Sequence, residues 1–335
     1  MHTARYLALV ALFVPMQSGI QATPQQTGVT NRFIAVSAVS PDVVWISGDR
    51  GSYAHTTDGG TTWKAGTVPG AERLDFRDVH AFNERSALLM SAGNGPASTI
   101  YRTTDAGASW HLVFTNPDSA GLYDCIDFFD ASRGLVIGDS YNGEMAMLST
   151  TDGGQHWTRI RGALPAPIQG EGSFASSGTC LVAQPDGSAW GVTTKGRVIR
   201  TRDFGKTWTV SVAMTSTTDT VGLTSVTFRD AGNGFVFGGF GARSTDTLVY
   251  ATTDGGTTWA MKTRPPNGHG IWGAALTASR AIVAVGPKGA AYSRDGATTW
   301  TQIDSVNYWG VGFAPRSNVG WAVGRGGRVT KLSGF

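Results

Sequence analysis

The sequence predicts an all-β fold, a seven-bladed β-propeller of four-stranded antiparallel blades whose ring is closed by an N-terminal strand. Three observations predict it. A Ser/Thr-x-Asp-x-Gly-x-x-Trp pattern recurs six times along the 335 residues. The segments ahead of each copy share one strand register. The composition, with 46 Gly, 11 Trp and only 15% charged residues, suits short strands joined by tight turns.

The copies are Thr56-Asp58-Gly60-Trp63, Thr103-Asp105-Gly107-Trp110, Thr150-Asp152-Gly154-Trp157, Thr201-Asp203-Gly205-Trp208 and Thr252-Asp254-Gly256-Trp259. In the sixth, Ser293-Asp295-x-x-Trp300, Ala297 stands where the second Gly belongs. Successive Asp positions lie 47, 47, 51, 51 and 41 residues apart, a blade-like spacing. A short carboxylate there accepts turn N–H groups, Gly accepts positive φ, and Trp anchors the next strand. The pattern is similar to the Asp box of bacterial neuraminidase-repeat propellers. A calcium loop would need further carboxylates at alternate positions, and none follow, so the boxes read as structural turns without metal.

Ahead of each box runs a strand ending in Gly, such as Trp45-Ile46-Ser47-Gly48 or Leu135-Val136-Ile137-Gly138. About nine residues earlier sits an apolar position of another strand: Val36, Val79, Ile126, Leu181, Val226, Ala274 and Val311. Each unit thus reads strand A, strand B, strand C, Asp box, strand D. The register finds a seventh repeat, from about residue 304 to 335, with no box. An open blade would expose a strand edge, so residues around 23–30 are expected to supply its outer strand. Six blades is the alternative count.

Residues 1–22 read as a signal peptide, with Arg5 before the apolar run 6–16 and a small-residue end near Ala22. The run is shorter than the roughly 20 residues of a membrane span, and no integral membrane segment is expected. Residues 23–335 are then a single exported propeller, periplasmic or secreted, in a compartment that permits disulfides. The net charge of +3, without a Lys/Arg run, gives no support to a nucleic-acid partner. A monomer is expected.

Length varies mainly in the connections from the box Trp to the next strand A and from strand B to the box. The first interval is 16 residues from Trp63 to Val79 but 24 from Trp157 to Leu181; the second ranges from 12 to 19. Both connections fall on one face of a four-stranded blade, and such insertions commonly mark the binding face. The most elaborated segments are 160–177, 91–100, 138–147 and 238–248. The first carries Pro165, Pro167, Gly170, Gly172 and Glu171, and reads as a lid over the mouth.

Two residues before the strand-A apolar position the repeats read Ile34, Arg77, Asp124, Thr179, Thr224, Trp272 and Trp309. Trp272 and Trp309 are the only Trp residues without a repeat role. They read either as packing along the axis or as an aromatic platform for a sugar ring or a partner side chain. One position later the only two cysteines, Cys125 and Cys180, occupy equivalent places in adjacent blades. They form either a disulfide or two buried thiols. Arg77, Asp124, Glu171, Trp272 and Trp309 are therefore the candidate binding residues. Catalytic residues are not assigned: Asp124 and Glu171 would serve as a glycosidase pair only at the right separation. No nucleophile elbow, phosphate loop or zinc-ligand spacing occurs, and no cofactor is expected.

Gly320-Trp321-Ala322-Val323-Gly324, the basic run Arg325 to Val329, and Thr252 to Trp259 resemble the repeats of the photosystem II assembly/stability factor family and its non-photosynthetic bacterial relatives. That resemblance implies a single exported seven-bladed propeller. It points to a non-catalytic binding or assembly scaffold whose partner is an envelope protein. The alternative is a glycan-active enzyme, a sialidase-like or other glycoside hydrolase or lyase. Sialidases add an Arg-Ile-Pro motif that is missing here, and the Asp-box xyloglucan hydrolases use two propellers.

Overall fold

The computed structural model describes residues 19–215, 221–239, 247–266, 268 and 270–335. Within them lie seven four-stranded antiparallel sheets, each running from an inner to an outer strand. The blades span residues 33–67, 76–115, 123–159, 181–212, 223–261, 273–304 and 310–333. Each inner strand packs against the inner strands of both neighbours, so the blades close a ring around one axis.

The seventh blade takes its outer strand from the other end of the chain. Gln21–Gln25 pairs antiparallel with Val329–Ser333, Gln21 opposite Ser333 and Gln25 opposite Val329. The closing strand therefore starts earlier than the expected residues 23–30, and Gln21 and Ala22 belong to it. Pro24 is tolerated because an outer strand needs no ladder donor on its free edge. Of the expected leader, residues 1–18 lie outside the described residues, as do 240–246 of the expected 238–248 insertion.

Gln25 fastens this seam. Its Oε1 accepts from Trp63 Nε1 of the first blade at 3.2 Å and from Trp321 Nε1 of the seventh at 3.1 Å. Its Nε2 donates to Gly59 O at 3.1 Å, an oxygen that Lys331 Nζ also reaches at 2.9 Å. The other two strand-B Trp residues bridge blades similarly. Trp45 Nε1 donates to Asn83 O and Trp190 Nε1 to Gly255 O, so each buried indole brings its donor to a partner in the next blade. All three rings are fully buried, where truncation to Ala costs about 3–5 kcal/mol.

The boxes form the turns between the third and fourth strands. In the first, Gly60 N donates to Thr56 Oγ1 at 2.9 Å, while Thr62 N and Thr62 Oγ1 donate to the Asp58 carboxylate at 2.9 and 2.6 Å. The two residues after each Asp take positive φ, from Gly59 (68°) and Gly60 (84°) to Gly296 (70°) and Ala297 (65°). Ala106 (63°) and Phe204 (61°) accept that conformation without being Gly, which shows how strongly the side-chain bonds impose the turn.

Those bonds favour the ionised form. The hydroxyl and amide of the residue four positions on pull Asp58, Asp105, Asp203 and Asp295 down to about 2. Asp152 and Asp254 are lowered as well. A carboxyl whose folded pKa is depressed stabilises the fold fully above the ordinary carboxylate pKa of about 4, and loses that contribution as pH falls towards the folded value. The melting temperature, followed by circular dichroism, is therefore expected to drop between about pH 4 and about pH 2. A flat profile over that window would contradict the boxes as acid-sensitive fasteners.

Candidate functional site

Four of the seven ring residues are set by backbone irregularity. Pairing between the first two strands shifts register between Phe33 and Ala35, Phe76 and Asp78, Tyr123 and Cys125, and Leu223 and Ser225. Ile34, Arg77, Asp124 and Thr224 are thus bulged residues, and a bulge re-aims the side chain it carries. All lie at the start of the inner strand, beside the long connections. Ile34, Asp124 and Thr224 are buried, whereas Arg77, Trp272 and Trp309 are half-buried.

Trp272 and Trp309 meet, with ring centroids 4.6 Å apart and planes tilted by 48°. Two guanidiniums lie over Trp309, Arg32 at 4.7 Å and Arg77 at 5.6 Å from its centroid. Asp75 Oδ2 bridges both, accepting from Arg32 Nη2 at 3.0 Å and Arg77 Nη2 at 3.2 Å. Asp49 lies 3.7 Å from Arg32 Nε and fixes its backbone N–H at 3.0 Å. Burial lowers the Arg77 pKa, against the pull of Asp75. Arg32 Nε, Arg77 Nε and Trp309 Nε1 are buried and make no hydrogen bond within the chain, Arg32 Nε lying 3.7 Å from the Asp49 carboxylate.

The long connection between the third and fourth blades does not merely overhang the mouth. Residues 172–178 run into the axis and plug it. Ser173 N donates to Asp139 Oδ1 at 3.1 Å, and Ala175 O accepts from Arg77 Nη1 at 3.1 Å. Ser177 Oγ donates to Trp272 O at 2.6 Å, across the ring. Gly178, at φ +73°, packs where a Cβ would lie 2.2 Å from Asp78 Oδ1 and 3.0 Å from Ala35 Cβ. Only Gly fits that backbone conformation and that gap.

Glu171 stands elsewhere than expected. It is 1% exposed, and its carboxylate accepts from Thr193 Oγ1 at 2.7 Å, Arg197 Nε at 2.8 Å and Ile168 N at 2.9 Å. It anchors the plug to the fourth blade and does not face Asp124 across a substrate gap. Sequence gave no sign of this, because Arg197 lies on the third strand of the next blade.

Asp124 instead pairs with Asp139, the residue after the second-strand Gly138. The two carboxyls are within hydrogen-bonding reach. Asp124 is 2% exposed, and its Oδ2 meets no donor in the chain. Desolvation, then the charge of Asp139, pushes the Asp124 carboxyl well above the usual range; burial raises Asp139 too. Two carboxyls that close resist losing both protons, so the raised values belong to the pair. Beside them opens a cavity of about 310 Å³ lined by Arg77, Ala92, Leu122, both carboxyls and residues 173–176.

Cys125 and Cys180 are joined by a disulfide with Cα atoms 5.9 Å apart, tying the inner strands of the third and fourth blades. On the far side of the plug a second cavity, of about 520 Å³, is walled by the inner strands of all seven blades and reaches Asp78 and Gly178. Among the described residues no three His, Cys, Asp or Glu side chains gather to hold a metal, and no helix is long and apolar enough to cross a membrane.

No protein-family model matches the chain. It is similar to a xyloglucanase of Paenibacillus sp, 26% identical over 267 residues, 68% of this chain and 26% of that protein. It is similar to Photosystem II stability/assembly factor HCF136 of Arabidopsis thaliana, 24% identical over 55% of this chain and 46% of that one. To the Photosystem II assembly lipoprotein Ycf48 of Synechococcus sp. (strain CC9902) it is 27% identical, over 64% and 57% of the two chains. The chain thus matches about a quarter of the xyloglucanase and about half of the two assembly factors. Among solved structures, YCF48 bound to D1 peptide superposes with a TM-score of 0.64 at 18% identity, over 94% of this chain and 97% of that chain. YCF48 from Cyanidioschyzon merolae gives 0.68 at 17% identity, over 94% and 99%. The chain is therefore a seven-bladed propeller similar to the photosystem II stability and assembly factors, and over one part of their length to xyloglucanases.

Proposed function

We propose that this protein is an exported, non-catalytic propeller, periplasmic or secreted, that binds a protein partner at its mouth as an assembly or stability factor. The observation that carries this is the Arg32–Arg77–Trp309–Trp272 cluster, where buried N–H donors and aromatic faces without a repeat role converge. Such Arg and Trp groups are the residue types that dominate protein interfaces. The similarity to assembly factors supports it, and one solved relative is bound to a peptide.

The glycan-active alternative has one observation in its favour, a carboxyl pair near two Trp rings. Its geometry argues against hydrolysis. A glycosidase needs its carboxyls at least about 5 Å apart to admit the scissile bond, and Asp124 and Asp139 touch. The test is capture of partners from the cell envelope beside a glycan hydrolysis screen. Arg77→Ala and Trp309→Ala are each expected to weaken partner capture at least about 30-fold, the scale of an interface hot spot. Glycan turnover that disappears in Asp124→Asn would overturn the proposal.

A further inference from the structure

We infer that the mouth cavity is a receptor for a primary ammonium group, carried by a lysine side chain of the protein partner, which enters as the proton shared by Asp124 and Asp139 leaves. The inference rests on the partner-binding reading and names the chemistry one of its subsites recognises. Three observations carry it. Asp124 Oδ2 is buried, and no donor of the chain reaches it. A buried carboxylate oxygen without a donor is costly when the group is ionised, which favours the protonated pair in the free protein. An arriving cation with its own N–H donors can replace that proton.

The second observation is charge. Around the pair, Arg77 is the cation acting on Asp124, and it is already shared with Asp75 and with the carbonyl of Ala175. Arg32 is engaged by Asp75 and Asp49. Four carboxyls thus face two guanidiniums. With one shared proton the cluster is one negative charge in excess, and without it two.

The third is shape. The cavity holds about 310 Å³, with Ala92, Leu122 and Phe174 in its wall and the carboxyls of Asp124 and Asp139 beside them. Four methylenes ending in an ammonium match an apolar wall that leads to a carboxyl pair. The exchange balances: the ammonium keeps its protons, forms hydrogen bonds to both carboxylates, and one proton passes to solvent. The plug takes part, because Asp139 also holds Ser173 N at 3.1 Å.

The experiment is calorimetric titration of the protein with Nα-acetyl-lysine methylamide and with its norleucine counterpart, in buffers of differing ionisation heat. Expected are binding of the lysine amide alone, proton release of up to about one per ligand, and affinity rising with pH, by up to about tenfold per pH unit, over the range in which the free pair still holds its proton. Asp139→Asn keeps an acceptor for Ser173 N and a donor for Asp124, so the fold is retained, and it is expected to lose at least about tenfold in affinity together with the proton release. Equal binding of the norleucine amide, or undiminished binding to Asp139→Asn, overturns the receptor. Tighter binding of 1,5-diaminopentane than of the lysine amide overturns the assignment to a polypeptide side chain. Full partner capture by Asp139→Asn overturns the receptor while leaving partner binding intact. Partner binding itself fails separately, in Arg77→Ala and Trp309→Ala.

Discussion

Replacing Glu171 by Ala is expected to destabilise the protein by about 3–5 kcal/mol, the cost of leaving the other half of a buried ion pair uncompensated. Glu171 is 1% exposed, and the Arg197 side chain facing it is 12% exposed. Removing the carboxylate strands the guanidinium and also Thr193 Oγ1 and Ile168 N, which donate to it. The loss should concentrate where the anchor acts. Residues 160–178 should become cleavable by protease at concentrations that leave the parent intact, since the ties that remain, among them those to Asp139, Val192, Thr194, Arg77 and Trp272, are single hydrogen bonds. Urea unfolding gives the magnitude. A double-mutant cycle with Arg197→Ala should show that the two losses do not add. Additive losses would mean that each side chain acts alone.

The second large effect belongs to the disulfide. Cys125 and Cys180 are 55 residues apart, and closing a loop of that length restricts the unfolded chain by about 4 kcal/mol. The loop holds the third blade's remaining strands, one Asp box and the whole plug. Cys125→Ala with Cys180→Ala is therefore expected to lose about 4 kcal/mol in guanidinium chloride unfolding, within a usual range of about 2–5. The parent treated with reductant should fall by a similar amount. A double variant as stable as the oxidised parent would show that the cross-link adds nothing to what the inner strands already secure.

Blade number, strand order and the Asp-box turns were legible because each is written locally. The turns follow from a hydroxyl, a carboxylate and two residues of positive φ within five positions. The ring positions were also legible, since counting back from the apolar position of each inner strand lands on Arg77, Asp124, Trp272 and Trp309. What could not be read is what those residues touch. Arg32 lies two places ahead of Ile34 and has no periodic mark. It reaches Trp309 only because closure sets the first blade beside the seventh. Asp139 stood among several mouth charges, and its contact with Asp124 depends on how two strands end against the plug. Glu171 had the composition of a loop tip, yet burial and Arg197 make it an anchor. Pairings of this kind are fixed by tertiary approach, which no spacing records.

The clasp at Gln25 also bears on when the molecule becomes whole. Gln25 and Trp321 are 296 positions apart, yet they share a hydrogen bond and a sheet. The strand that completes the last blade is among the first stretches to leave the ribosome, and it has no partner until residues 329–333 follow. Contacts of such separation form slowly, and an unpaired edge invites association with other chains while it waits. Six blades can form around an unfinished seam until the final blade is made, so the interval before residues 329–333 arrive is a window in which the unpaired strand is open to aggregation.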